Sequence, residues 1–188
     1  MKTLMYFLVL AILVIAGCDK DNTMFETQDN LELKKAKVPI PFKADLYIVT
    51  DWESDKILVE GLDPEDPSSY ANSKLIVSGT GTHLGKINAE KSFYEFESLK
   101  FFLDENGYPF TLNTGAGIIV AANGDSFEFT FRILQDAIDY SWSGTNEIIP
   151  GSGTGKFEGC SGTIEAVGGL HEDGIGIWSI AQGFLVYE

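Results

Sequence analysis

From residue 39 onward the apolar positions alternate with polar ones at a period of two, and no stretch repeats them at the spacing of a helix face. Phe42, Ala44, Leu46 and Ile48 alternate with Lys43, Asp45, Tyr47 and Val49, the pattern of a strand with one buried face. The clearest case sets Phe127, Phe129, Phe131 and Ile133 against Glu128, Thr130 and Arg132. It predicts three phenyl rings lining the interior, with Glu128 and Arg132 on the surface. Shorter runs predict strands over 56–62, from Leu75 and Val77 into Gly79-Thr80-Gly81, and over 87–96, 101–103 and 117–122. Others are expected around Phe157 and over 163–167 and 175–187, while in 135–149 only Tyr140 and Trp142 keep the alternation. Asn106-Gly107 and Asn123-Gly124 are hairpin signals. The prolines and acids of 63–73 predict a long loop, and the glycines of 151–155 a turn. Twenty glycines and closely spaced turns point to an all-β sandwich or barrel. About eight strands fit, and an antiparallel barrel over 39–188 is preferred because closure removes exposed strand edges.

Ahead of that pattern stands a different one. Lys2 is followed by an almost unbroken apolar run over residues 4–15, then Ile15-Ala16-Gly17-Cys18, then Asp19-Lys20-Asp21. The apolar run is short of the roughly 20 residues a membrane-spanning helix needs. A branched apolar residue, two small residues and a cysteine read as a bacterial lipoprotein lipobox, with residues 1–17 the signal peptide and Cys18 the lipidated residue. Two or three acyl chains on one cysteine hold a protein stably to a membrane. Residues 18–38 are polar without an apolar period and read as a flexible tether. The expected location is the cell envelope. The outer membrane is favoured, with surface exposure left open and the inner membrane facing the periplasm as the alternative.

Charge narrows the partners. The chain carries 28 acidic against 13 basic residues, a net of −15, and removing the leader takes Lys2 with it. Such a surface repels phosphate backbones, so nucleic acid is not expected as a partner. With Cys18 lipidated, the second of two cysteines, Cys160, has no partner within the chain. Between small residues it reads as a small buried hydrophobe. With two histidines, His83 and His171, no histidine-rich metal site is expected, and neither a metal nor another cofactor is expected.

The remaining motifs are mostly structural in reading. Gly151-Ser152-Gly153-Thr154-Gly155-Lys156 departs from a phosphate-binding loop, having Pro150 where glycine is needed and Phe157 where Ser or Thr is needed. The acidic runs Asp51-Trp52-Glu53-Ser54-Asp55 and Asp63-Pro64-Glu65-Asp66 lack the calcium-loop spacing and read as solvated loops. His171 reads as an exposed turn residue. His83 has two readings, a polar anchor or general base at the barrel mouth and a residue bonded to its own backbone turn. No catalytic set stands out.

Three blocks carry a family resemblance. Gly153-Thr154-Gly155-Lys156-Phe157-Glu158-Gly159-Cys160-Ser161-Gly162-Thr163 resembles the G-T-G-x-F-x-G-A-x-G-T segment of small bacterial barrel proteins similar to the allene oxide cyclase and dirigent barrels. Gly81-Thr82-His83-Leu84-Gly85-Lys86 resembles their T-H-L-G block, and Ala122-Asn123-Gly124-Asp125 their A-N-G-D turn. Cys160 stands where those proteins have alanine. The resemblance implies an eight-stranded antiparallel barrel with an apolar interior. The function expected is a non-catalytic ligand-binding or scaffold module anchored to the membrane. The alternative is a cyclase- or isomerase-like enzyme acting on a lipophilic small molecule. Ligand contacts are expected from His83, Phe127, Phe129 and Phe131. Oligomeric state is left open.

Overall fold

Eleven strands follow one another in the computed structural model, which describes residues 38–187. They are β1 (Ile40–Thr50), β2 (Lys56–Glu60), β3 (Tyr70–Asn72), β4 (Lys74–Gly81), β5 (Gly85–Lys86) and β6 (Phe93–Leu103). β7 (Pro109–Val120), β8 (Ser126–Asp136), β9 (Trp142–Ile148), β10 (Cys160–Leu170) and β11 (Ile177–Tyr187) complete the series. The expected signal peptide, the expected lipidation at Cys18 and the expected tether up to residue 37 fall outside the described residues. The barrel belongs to a compact unit running Lys34–Glu188.

Eight strands close a ring, every neighbouring pair antiparallel, in the order β6-β7-β8-β9-β10-β11-β1-β4 and back to β6. The expected all-β barrel is therefore the fold. Short turns join β6 to β7, β7 to β8, β8 to β9 and β10 to β11 as antiparallel hairpins. Both Asn-Gly signals sit in turns, with Asp104 Oδ1 accepting from the Asn106 and Tyr108 amides at 2.8 Å in the β6–β7 turn. Gly124 N–H donates to the Ala121 carbonyl in the β7–β8 turn.

The core is an aromatic column. β8 buries Phe127, Phe129, Phe131 and Ile133 and exposes Glu128, Thr130 and Arg132, as its alternation predicts. Their rings meet edge to face: Phe127 on Phe157 at 5.2 Å, Tyr94 on Phe129 at 4.9 Å and on Phe131 at 5.0 Å, and Phe96 on Phe131 at 5.7 Å. Room for them comes from the facing strand. Gly115 pairs with Phe131 and Gly117 with Phe129, and a Cβ on either glycine would run into the ring opposite and a β6 carbonyl behind.

Several expected elements differ. Strand β6 is one strand where two were expected, because a bulge between Phe96 and Ser98 breaks its alternation while leaving both Phe96 and Leu99 facing inward. Strand β7 starts at Pro109, well before residue 117, since Asn113 and Gly115 face inward and hide the apolar period. Tyr140 lies in the β8–β9 turn at φ 61° and continues no strand. The expected 63–73 loop ends in β3. Phe157 lies in a 3-10 turn (Gly155–Phe157), and it is fully buried as a plug under Phe127.

Truncating Phe129 to alanine should cost about 3–5 kcal/mol, as large aromatic cavities do. Gly117→Val should cost about 1–3 kcal/mol by overpacking. Urea unfolding of both variants checks this, and a Gly117→Val barrel as stable as wild type would refute the ring-to-glycine packing.

Candidate functional site

The two ends of the barrel are built differently. At one end β1 begins, Ile40 opposite Leu185, and three loops fold across the opening. Thr82 pins the β4–β5 turn to β1: its hydroxyl accepts from the Lys43 amide at 2.8 Å, and its own amide donates to the Lys43 carbonyl at 2.7 Å. His83 takes the left-handed conformation there, φ 64°, and Leu84 drops inward to 4% exposure. From the next loop Thr154 grips β8, its hydroxyl accepting from the Ser126 amide at 3.0 Å, and Phe157 is pushed into the core. A Cβ at Gly153 would overlap the Phe157 carbonyl, and Gly155 sits at φ 57° with the Asp125 carboxylate against it. The glycine-rich segment is thus a plug-bearing loop. The space left among Phe42, Leu46, Leu84, Phe127 and Phe129 is about 20 Å³, room for little more than one water.

The opposite end is open, and the seam explains why. β4 meets β6 over three residue pairs, Lys74 with Glu95, Leu75 with Tyr94 and Ile76 with Phe93. Lys74 staples the join, 3.9 Å from Glu95 and 4.4 Å above the Phe93 ring. Because β4 starts at Lys74, the rest of β6 lacks a ring neighbour on that side. β2 fills in only at Val59 and Glu60, pairing parallel with Leu99 and Lys100.

A cavity of about 420 Å³ occupies this gap. Val59, Leu75, Phe96, Leu99 and Ile177 form its apolar wall, with Trp52 and Tyr70 at the mouth. It continues inward into a recess of about 50 Å³ that adds Ile48, Tyr94, Ile133 and Trp142. Asn72, 6% exposed, holds the outer flap: its Nδ2 donates to the Asp51 carbonyl at 2.8 Å, and its Oδ1 accepts from Lys56 Nζ at 2.7 Å. Lys56 is the only charged side chain lining the cavity among the described residues.

Polar groups also reach the inner wall. Gln135 Oε1 accepts from Thr111 Oγ1 at 3.4 Å and from Asn113 Nδ2 at 3.3 Å. Asn113 is 6% exposed and lines both parts of the cavity, yet its Oδ1 has no hydrogen-bond partner among the described residues. A buried carbonyl left so costs about 1–3 kcal/mol. Deeper in the barrel, burial raises the Tyr94 hydroxyl far above the ordinary tyrosine value, with the Asn146 amide pulling weakly the other way. Asn146 Oδ1 and Ser179 Oγ are likewise without partners among the described residues.

The loops around the open end carry acids that serve as turn formers. Asp51, Asp63, Asp66 and Asp136 each accept backbone amides two residues on. In the β10–β11 turn Asp173 accepts from Tyr47 Oη at 2.7 Å and from the Ile175 and Gly176 amides. The Tyr47 hydroxyl first, then those amides and His171 nearby, holds its carboxyl well below the usual range. The same rim bears apolar tips: Trp52, Ile138 and Ile175 are 78%, 60% and 74% exposed. Among the described residues no cluster of three or more His, Cys, Asp or Glu side chains is placed to hold a metal ion.

The residues singled out by sequence are split by this geometry. Phe127 and Phe129 line the small sealed space, Phe131 joins Tyr94 and Phe96 above it, and His83 sits in the turn of the sealed end. His171 lies in the β10–β11 turn, its Nδ1 3.1 Å from Asp173 Oδ2. Cys160 is buried, its thiol pushed up to about 11 by that burial. The cavity groups Asn113, Gln135, Asn72 and Lys56 were not singled out. Asn113 carried a signal, a lone amide between Leu112 and Gly115 at an inward position, but the weak alternation around it concealed the strand.

Asp173→Ala should melt below wild type at neutral pH. The carboxyl has a lowered folded-state pKa, so its contribution is complete above the ordinary carboxylate value and fades as pH falls below about 4. Thermal melts from pH 7 to pH 2 should therefore show the gap closing, and a gap independent of pH would contradict the assignment. Compared with known proteins, the chain matches no family model, no curated protein sequence and no solved structure.

Proposed function

We propose that this protein is a cell-envelope lipoprotein, anchored through lipid on Cys18, whose barrel binds a lipophilic small molecule without chemically changing it. The observation that carries the ligand-binding part is the asymmetry of the barrel: one end is plugged by Leu84 and Phe157, and the other holds a cavity of about 420 Å³ walled largely by apolar side chains. A volume in this range suits a small organic ligand. The anchor rests on Ile15-Ala16-Gly17-Cys18 and the apolar run before it. The first strand of the barrel, β1, begins at the plugged end. The outer membrane is the favoured location.

A second reading is a cyclase- or isomerase-like enzyme in the manner of the barrels the sequence resembles. It draws on the buried Tyr94 hydroxyl beside Asn146, a hydrogen-bonding group in an apolar interior. Turnover of a lipophilic substrate that Tyr94→Phe abolishes would favour it over simple binding.

Two measurements test the main reading. In a bacterial host, radiolabelled palmitate should enter the full chain and be lost in Cys18→Ala; equal labelling of both would exclude the anchor. Native mass spectrometry of the Lys34–Glu188 unit should show a retained small molecule or a mass shift with a lipophile panel. A bare mass under all conditions would turn the reading toward a scaffold acting through its surface.

A further inference from the structure

We propose that the outer wall of the barrel along β11 is the contact face of a homodimer, through which the protein pairs with a second copy of itself about a two-fold axis. The inference is independent of the cavity reading.

A strand of an antiparallel barrel gives one face to the core and the other to water, so its outward positions are expected to be polar. β11 departs from this. Its inward side chains include Ser179, Ala181 and Leu185, all buried. Its outward side chains are Trp178, Ile180, Gln182, Phe184 and Val186. Of these, Trp178, Ile180 and Phe184 are large, apolar and exposed, Phe184 at 55%. The stripe widens onto the next strand, where Val167 of β10 pairs with Ile180 and is exposed too. Trp178 leans over Gly169, its partner on β10, and so carries apolar surface across that strand. A contiguous apolar patch on an otherwise solvated wall marks an interaction surface.

The occupant is read from charge. A chain with 28 acidic and 13 basic residues repels its own kind over most of its surface. β11 itself carries no charged residue from Ile177 to Tyr187. Beside it stand charges of both signs. Lys43 of β1 and Glu165 of β10 flank Gln182 from opposite sides, and Asp45 of β1 stands next to Ile180. All three are exposed, and none has an ion-pair partner among the described residues. A two-fold contact sets the same face of both copies together. With the axis along β11, β1 of one copy lies over β10 of the other, and Lys43 meets Glu165 of the second copy. With the axis across the strands, β1 lies over β1, where Lys43 can meet Asp45 of the second copy. In both arrangements the face offers its own lysine a carboxylate. A face about three strands wide is smaller than the roughly 800 Å² per partner of a standard interface, so the dimer is expected to be weak.

Sedimentation velocity of the Lys34–Glu188 unit from about 1 µM to about 300 µM tests this, a range that covers weak association. Monomer should convert to dimer as concentration rises, and assembly should stop there because a two-fold contact closes. Phe184→Ser and Ile180→Thr, both outward and clear of the core, should each weaken association about ten-fold, with near-ultraviolet circular dichroism verifying the fold. Lys43→Glu should weaken it as well, and adding Glu165→Lys or Asp45→Lys should restore it. Leu103→Ser, an exposed position on β6, should leave it unchanged. A monomer at every concentration would overturn the proposal, and so would a dimer indifferent to Phe184→Ser and Ile180→Thr. The chain from Asp19 to Glu188 should dimerise alike. If it stayed monomeric while the shorter unit paired, residues 19–33 would be the occupant of the face and the proposal would fall.

Discussion

The packing of phenyl rings from β8 against glycines of β7 is the constraint on which the rest of the barrel depends. Phe129 and Phe131 reach across the interior only because Gly117 and Gly115 offer no side chain opposite them. From there the rings run edge to face, Phe157 to Phe127 at one end and Phe131 to Phe96 at the other. An eight-stranded barrel is just wide enough for its own side chains to fill it. Here the stacked phenyl column fills the half nearest the start of β1 and ends at Phe96.

The stop coincides with an incomplete seam. The short join of β4 to β6 leaves one edge of β6 without a ring neighbour over its second half. The β2–β3 flap covers that gap without sealing it, held by Asn72 to Asp51 and Lys56. Two structural accidents of the kind that usually weaken a sheet, a bulge and an unpaired stretch, thus accompany the roomy cavity. Local openness there is compatible with a stable fold because the aromatic column carries the core independently of the flap.

How far the sequence reveals this depends on what fills each position. Where apolar and polar residues alternate cleanly, as in β1 and β8, both strand and inward face are legible. The Asn-Gly turns are legible too, because their chemistry is local. Strand β7 is not, since its inward residues include Asn113, Gly115 and Gly117, chosen to face rings and a cavity and not to be hydrophobic. Phe157 misleads for a related reason: it is buried by a loop that folds over the barrel end, a long-range arrangement that no local period encodes. The Thr82-His83-Leu84 block is visible as a motif, but its division of labour into pin, left-handed turn and plug requires the fold. Likewise the cavity is formed by residues from β1 to β11, and only their meeting at one end gives Asn113 its significance.

The central claim is that the barrel is sealed at one end and open at the other. Crystals of the Lys34–Glu188 unit held under xenon pressure test it most directly, because xenon reports apolar space irrespective of any ligand's identity. The account predicts xenon in the recess beside Leu75, Phe96 and Ile177, and none among Phe42, Phe127 and Phe129. Xenon seated among those phenylalanines, or an open-end recess filled by protein side chains, would contradict it.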